Sequence, residues 1–223
     1  MNSSKKSILN SNFTYLAAFV LPVIMMMALY YTRGIFPWGN ECYLRSDMYH
    51  QYAPFFSELW HKIRNGESLT YSWNIGMGTN FTSLFAYYLA SPSNWFVALF
   101  PQKYTIEIMN AFIILKIAGS SLSLTYYLTK HNNNKHVIAA IFGMFYGMSG
   151  FIAAYSWNIM WLDCIWLLPL ILYGAEQLVR EKKGLFYCIT LGLSILSNYY
   201  ISIMICIFMV MYVIMQVILN PPK

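Results

Sequence analysis

Long apolar runs separated by short polar segments dominate this chain, and the pattern predicts membrane-spanning helices. A helix needs about 20 apolar residues to cross a hydrocarbon core about 30 Å thick. A stretch at 185–219 is too long for one untilted crossing and is interrupted around Asn198, so we predict a broken pair of helices there. The other predicted spans are residues 13–31, 104–128, 137–155 and 164–179.

Residues 32–103 separate the first two predicted spans and are expected to form one long outer loop. Apolar side chains recur at helical spacing over residues 52–63, which is typical of an amphipathic helix lying on a membrane, and Asn65-Gly66 is a typical helix end. The apolar stretch 81–100 contains Ser-Pro-Ser-Asn at 91–94, which would leave backbone groups unsatisfied in lipid. We therefore predict two short interfacial helices there instead of a crossing.

Three short basic clusters set the predicted topology: Lys5-Lys6, residues 130–136 and residues 180–183. Short loops rich in Lys and Arg are retained on the cytoplasmic side of a membrane. Placing all three clusters there puts both termini inside and the 32–103 loop outside. The sequence thus predicts a multi-pass protein of the cell membrane with a cytoplasmic N-terminus.

Composition supports the membrane assignment. Hydrophobic residues make up 58% of the chain and charged residues 10%, against about 25% charged in a typical soluble domain. The mean hydropathy is +0.48. Much of the net charge of +6 lies beside apolar runs, where it is a topology signal and does not indicate a nucleic-acid partner. The predicted fold class is all-α, a polytopic helical membrane protein with a long outer loop of amphipathic interfacial helices after the first span.

Only two of the eight acidic residues are aspartates, Asp47 and Asp163. A charge at the centre of a bilayer costs about 2.5–3.5 kcal/mol or more, so a membrane protein that keeps few charges usually uses them. Both aspartates fall in polar, aromatic-rich segments after an outward-going span, and we predict that they share one site on the outer face. Helix N-capping is the alternative for each, and it is stronger for Asp163.

Lys116 falls near the middle of the predicted span 104–128. An ionisable group at that depth is by default functional or paired inside the bundle, so Lys116 is expected to bind a lipid phosphate or to pair with a carboxylate. Snorkelling towards the interface is the alternative, which the depth of Lys116 disfavours. Glu107 and Glu176 lie near helix ends and are predicted to be interfacial.

The histidines and cysteines show no spacing typical of a metal site, so neither a protein-bound metal nor a cofactor is predicted. Cys188 and Cys206 fall inside apolar runs, where small buried thiols are ordinary. Cys42 and Cys164 are both placed outside, which leaves a disulfide between them open as a minor alternative.

The segment 71–81 mixes Trp, Tyr, Asn and Gly, a composition suited to carbohydrate. Aromatic faces stack on the C–H surfaces of sugars, while amides and hydroxyls bond the sugar hydroxyls. Trp73 and Asn74 are therefore candidate sugar contacts. For any single aromatic residue here, an interfacial aromatic belt is the alternative.

Several motifs together resemble the YfhO family, bacterial multi-spanning membrane proteins related to the GT-C glycosyltransferases. The resemblance covers essentially the whole chain and implies a GT-C-like fold. It also implies transfer of a sugar from a polyprenyl-phosphate donor to a cell-envelope acceptor such as teichoic acid, outside the membrane. Family members are much longer, so the chain resembles an N-terminal portion. The motifs are Ser-Asp-Met-Tyr-His-Gln-Tyr at 46–52, Tyr-Ser-Trp-Asn-Ile-Gly-Met-Gly at 71–78, Ser-Pro-Ser-Asn at 91–94, Trp-Asn-Ile-Met-Trp-Leu-Asp at 157–163 and Ser-Asn-Tyr-Tyr at 197–200.

The resemblance implies roles for particular residues. A GT-C enzyme keeps its catalytic carboxylate in the first outer loop, and Asp47 matches that position as the base that takes the acceptor proton. Asp163 is a candidate second carboxylate. The lipid phosphate needs a cation or aligned backbone N–H donors, and the outer cation candidates are Arg45, His50, Arg64 and Lys103.

A second class of function stays open at this stage, a non-catalytic membrane subunit or a component that binds or transports lipid-linked sugar. In either class the expected partners are a polyprenyl-phosphate-linked sugar and membrane lipid. The glycosyltransferase interpretation adds a cell-envelope polymer as acceptor.

Overall fold

A computed structural model describes residues 2–133 and 137–219, with side chains described from residue 12 onwards. The basic residues Lys135 and His136 and the last residues 220–223 lie outside the described part, as do the side chains of Lys5 and Lys6. Nine α-helices and one short hairpin are found in the described ranges. They are α1 (Asn2–Thr32), α2 (Ala53–Asn65), β1 (Tyr71–Ser72), β2 (Thr79–Asn80), α3 (Phe81–Leu84), α4 (Thr105–His131), α5 (Val137–Gly147), α6 (Gly150–Tyr155), α7 (Ile159–Glu181), α8 (Leu185–Ser197) and α9 (Tyr199–Leu219).

The all-α, polytopic class predicted from the sequence is confirmed. Five segments of the described chain are long and apolar enough to cross a membrane: α1, α4, α5 with α6, α7 and α9. Helix α8 is apolar but shorter, at 13 residues. The largest differences from the expectation are that the third span is broken between α5 and α6 and that the fourth begins at Ile159 instead of residue 164.

Helices α4 and α7 form the centre of the bundle. In their most apolar stretches 72% and 61% of residues are buried, against 28% in α1 and 22% in α5–α6 and in α9. Helix α4 packs against α1, α5 and α7, and α7 packs against α8 and α9. Any polar group on the facing sides of α4 and α7 is therefore removed from both water and lipid.

Two glycines set the distance between α4 and α5. Gly143 and Gly147 are four residues apart, so they lie on the same face of α5. A Cβ at Gly143 would collide with Thr125 and with the carbonyl of Ser121, and a Cβ at Gly147 would meet the Ile117 carbonyl. This G-x-x-x-G spacing allows close backbone approach of membrane helices, and it was readable in the sequence.

Residues 33–104 fold over one end of the bundle. We call that end the loop face, and the opposite end, near Lys130 and Arg180, the basic face. The amphipathic helix predicted here is found as a π-helical turn, Met48–Tyr52, that continues into α2. Gly66 ends α2 in a left-handed conformation, with its N–H bonded to the Lys62 carbonyl.

The rest of the loop-face segment is short irregular helices and a hairpin. The stretch 81–100 does not form a long helix: α3 and a π-helical turn, Phe85–Leu89, are followed by a 3₁₀ helix, Pro92–Leu99. The hairpin β1–β2 is antiparallel and has no counterpart among the predicted elements. Buried apolar residues of this segment are continuous with the core of α4 and α7, so the segment is part of the domain.

The junction of α8 and α9 reaches the loop face. The Asn198 amide Nδ2 donates to the Tyr87 carbonyl at 3.0 Å, and the Asn198 Oδ1 accepts from the Ile201 N–H at 3.0 Å. The buried Asn198 thus lies between the end of α8 and the start of α9 and bonds their junction to the loop-face segment. The helix pair is broken at the position predicted from the sequence.

We expect the loop face to lie outside the cell, because the short basic clusters predict that the other side is cytoplasmic. The test uses single cysteines at Ser68→Cys and Asn133→Cys in a protein whose four native cysteines are replaced. An impermeant maleimide should label the first variant in intact cells and the second only after lysis. Labelling of Asn133→Cys but not Ser68→Cys in intact cells would invert the topology.

Candidate functional site

The Asp47 side chain is exposed at the loop face. It precedes the π-helical turn but makes no capping hydrogen bond, so the capping interpretation is wrong for this residue. Within the described residues its carboxylate has no hydrogen-bond or ion-pair partner. Burial raises the pKa of Tyr52, and the nearby Tyr88 and Asp47 add to that rise. Asp47 is thus a free carboxylate beside a cluster of tyrosines.

A cavity of about 760 Å³ opens at the loop face beside the segment that precedes Asp47. The C-terminal end of α1, residues 41–45 and the end of α6 form its walls. Two guanidinium groups, Arg33 and Arg45, line it together with a single carboxylate, Glu41. No ion pair of either arginine is found in the described part of the chain, so both are available to an anion.

The four cations predicted to bind phosphate do not lie at one site in the structure. Arg45 lines the cavity, but His50, Arg64 and Lys103 do not. Each of these three lies against an aromatic ring: His50 is edge-on to Tyr49, the Arg64 guanidinium is 5.9 Å from the Trp60 ring, and Lys103 Nζ is 4.9 Å from the Tyr104 ring. Arg33, at the end of α1, was not among the predicted cations because no motif accompanies it.

Asp163 forms a buried ion pair with Lys116. Lys116 Nζ lies 2.6 Å from Asp163 Oδ2 and also donates to the Ile159 carbonyl at 3.2 Å. Both side chains are almost completely buried, on the facing sides of α4 and α7. Asp163 lies within α7 and caps no helix, so that alternative is also wrong. Of the two roles expected for Lys116, binding a lipid phosphate or pairing with a carboxylate, the structure shows the second.

A chain of contacts connects Tyr52, near Asp47, with the Lys116–Asp163 pair, but the two aspartates are chemically different. The Tyr52 hydroxyl donates to Asn158 Oδ1 at 3.1 Å, and its ring stacks on Trp157. Asn158 precedes Ile159, whose carbonyl accepts from Lys116. Neither aspartate lines the arginine cavity. Asp47 is accessible, whereas the Asp163 carboxylate is occupied by Lys116 within the bundle.

A second polar group at the loop face was missed in the sequence. Glu58 on α2 is buried and accepts from Ser72 Oγ at 2.6 Å and from Asn74 Nδ2 at 3.0 Å. Lys62 Nζ lies 3.6 Å from the same carboxylate. Burial opposes ionisation of Glu58, but these hydrogen bonds and the ammonium together lower its pKa. The predicted sugar contact Asn74 is therefore held by a carboxylate, while Trp73 is 77% exposed.

Glu58 and Asn74 line a second cavity, of about 450 Å³, between α2 and the hairpin. Its walls combine one carboxylate with amides, a hydroxyl and an imidazole, and no Lys or Arg side chain lines it. The remaining lining residues are Pro54, Ser57, His61, Ile75 and Gln102.

At the basic face, Glu176, which was predicted to be interfacial because it lies near a helix end, is buried among the side chains of the bundle. Its carboxylate accepts from the Tyr127 hydroxyl at 2.8 Å and the Tyr212 hydroxyl at 2.6 Å. His131 Nδ1 lies 2.8 Å away. These contacts join α4, α7 and α9.

Glu107, Cys42 and Cys164 are further titratable groups considered from the sequence. Glu107 is half-buried, and its Oε2 is a buried atom without a hydrogen-bond partner. Cys42 and Cys164 are free thiols, so the disulfide alternative is wrong. Over residues 2–133 and 137–219 no three His, Cys, Asp or Glu side chains are grouped closely enough to hold a metal ion.

These features define a polytopic helical membrane protein with a folded loop-face segment. A sequence profile described as "Bacterial membrane protein YfhO" matches residues 17–222, so the chain belongs to the YfhO family. The resemblance drawn from the motifs is thereby confirmed. A curated relative, "Uncharacterized protein YfhO" of Bacillus subtilis (strain 168), is 25% identical over 161 residues. That match covers 66% of this chain and 18% of the relative. No solved structure matches the chain.

Proposed function

We propose that this chain carries the reaction site of a membrane glycosyltransferase. The donor is a sugar linked to a polyprenyl phosphate, and the acceptor is a cell-envelope polymer such as teichoic acid, on the outer side of the membrane. One observation carries the proposal. A free carboxylate, Asp47, lies two residues from Arg45 in a segment that borders an arginine-lined cavity.

The chemistry of the two groups is complementary. Sugar transfer with inversion needs a base that takes the proton of the acceptor hydroxyl, and an unpaired, accessible carboxylate can do this. The leaving group is a lipid phosphate, whose negative charge is stabilised by cations. Arg33 and Arg45 can bind that phosphate with charge-assisted hydrogen bonds, which are the strong class of hydrogen bond.

The position of the cavity suits a lipid-borne substrate. Leu29 and Thr32, which line it, belong to the last turns of the membrane-spanning helix α1. A ligand held there has its phosphate at the level of the lipid headgroups, and its polyprenyl chain can stay in the hydrocarbon core. Soluble sugar phosphates would gain nothing from this depth.

A non-catalytic role in binding lipid-linked sugar is the second candidate. It is favoured by the small matched share of the longer relative, 18%, because the groups that complete a reaction can lie in the rest of such a protein. Both candidates use the arginine cavity for the donor, and they differ in whether Asp47 takes a proton.

Replacing either arginine, as Arg33→Gln or Arg45→Gln, should weaken binding of the donor. A hydrogen bond to a charged group contributes about 1.5–3 kcal/mol, so the donor KM should rise about 10- to 100-fold while kcat falls less. The measurement is transfer from a polyprenyl-phosphate sugar by the protein as its own cell makes it, reconstituted in bilayers. Lys130→Gln on the basic face is the matched control and should behave as wild type. Unchanged donor KM in both arginine variants would contradict the proposal for this cavity.

A further inference from the structure

We infer that the second cavity, between α2 and the hairpin, is a binding site for neutral carbohydrate. Its natural ligand would be a sugar or polyol unit of the acceptor. That assignment to the acceptor rests on the proposed function, whereas the carbohydrate-binding property does not. The cavity of about 450 Å³ is large enough for a monosaccharide unit.

The first step of the argument is the set of polar groups. Glu58 and His61 come from α2, Asn74 from the hairpin loop, and Gln102 from the 3₁₀ turn before α4. Carboxylate and amide oxygens accept hydrogen bonds from sugar hydroxyls, and amide N–H groups donate to them. Three separate elements thus direct donors and acceptors into one space, which is what recognition of a polyhydroxylated ligand requires.

The second step is that the walls are fixed before a ligand arrives. The Glu58 carboxylate is held by Ser72 and Asn74 from the hairpin side. Lys62 is buried behind it and donates to the carbonyls of Ser68 at 2.9 Å and Tyr71 at 2.8 Å. The hairpin is therefore locked onto α2. A preorganised site loses little entropy on binding.

The third step is the charge of the cavity, which selects the ligand. The Glu58 carboxylate lines the cavity with the Lys62 ammonium 3.6 Å from it, and no Lys or Arg side chain is among the lining groups, so a phosphate would find no guanidinium or ammonium partner there. The arginine cavity has the opposite character, with two guanidiniums. Trp73, the predicted sugar contact next to Asn74 in the chain, is 77% exposed but does not line this cavity. The loop face thus offers one anion-binding cavity and one neutral polar cavity.

The test is direct binding of small probes to the 223-residue chain in lipid nanodiscs, measured by saturation-transfer NMR. The probes are N-acetylglucosamine and ribitol, with inorganic phosphate as the anionic comparison. We expect at least one neutral probe to bind and phosphate not to displace it. Gln102→Ala and Asn74→Ala should each weaken binding about 3- to 10-fold, the loss expected for one hydrogen bond.

Gln102→Ala is the decisive variant, because Gln102 is hydrogen-bonded to Ser57 and takes no part in the hydrogen bonds that hold Glu58 to the hairpin, so the hairpin stays anchored. Gln51→Ala is the matched control, since Gln51 lies at the loop face, contacts Tyr88 and does not line the cavity. Absence of binding by wild type, wild-type affinity in Gln102→Ala, or equal loss in Gln51→Ala would overturn the inference.

The outcome separates this inference from the proposed function. An Asp47→Asn protein that transfers no sugar but still binds the neutral probe supports both. A protein that binds the probe but has no transferase activity in any form overturns the proposed function alone. Transfer that is unaffected by Gln102→Ala at limiting acceptor overturns the acceptor assignment alone.

Discussion

Sugar transfer by an Asp47→Asn variant should be about 10²- to 10⁴-fold slower than by the wild type, the usual contribution of a general base. Asparagine keeps the size of the side chain and removes the proton acceptor. Because Asp47 makes no capping bond and no ion pair in the described structure, its replacement should leave folding and membrane insertion unchanged. The measurement is kcat with a polyprenyl-phosphate sugar and an envelope acceptor, using the protein as its own cell makes it.

The pattern across variants distinguishes the two candidate functions. Glu181→Gln, which removes an exposed carboxylate at the basic face, is the matched control and should transfer sugar at the wild-type rate. Near-normal transfer by Asp47→Asn would rule out this residue as the base. Donor binding without any transfer by the wild-type protein would instead favour the non-catalytic binder of lipid-linked sugar. Loss of transfer with unchanged donor binding would identify a chemical role.

Replacing Lys116 with Met should destabilise the protein by about 3–5 kcal/mol. The substitution leaves the Asp163 carboxylate buried between α4 and α7 without its partner, and breaking a buried ion pair has this cost. The double variant Lys116→Met/Asp163→Leu should recover most of the loss, because replacing both charges with apolar groups of similar size is often nearly neutral. Reversible unfolding in mixed micelles measures all three proteins.

Two results would contradict a structural role for this pair. One is a Lys116→Met protein as stable as Lys130→Met, the matched control, whose lysine is exposed at the basic face. The other is a double variant no more stable than the single one. If the double variant is stable and still transfers sugar, Asp163 takes no part in the chemistry.

Hydrophobic periodicity was enough to predict the helices, because crossing a membrane imposes a length and a composition on each of them. It failed where a polar group has a distant partner. The predicted spans 137–155 and 164–179 leave Asp163 outside the fourth helix, yet α7 already begins at Ile159 and contains Asp163, paired with Lys116 on α4. The two residues are 47 positions apart, a separation that single-sequence periodicity cannot read.

In the candidate site too, some residues could be predicted from the sequence and others could not. Asp47 and Arg45 could be found because they lie in one short polar motif after a span. Glu58 could not, since an acid on an amphipathic helix usually faces water, and its partners Ser72 and Asn74 lie in a hairpin that the alternation of the chain did not predict. Arg33 became a candidate only when folding brought residues 41–45 next to the end of α1.

Helix α7 carries two buried acids, Asp163 and Glu176, thirteen positions or roughly 20 Å apart along its axis. Each is bonded to α4, through Lys116 towards the loop face and through Tyr127 and His131 at the basic face. The central helices α4 and α7 are thus bonded to each other at two levels of the bundle. Sliding or tilting of one helix against the other would break a buried ionic contact at one level or the other, so α4 and α7 are expected to keep one relative position while a substrate binds in the loop-face cavities.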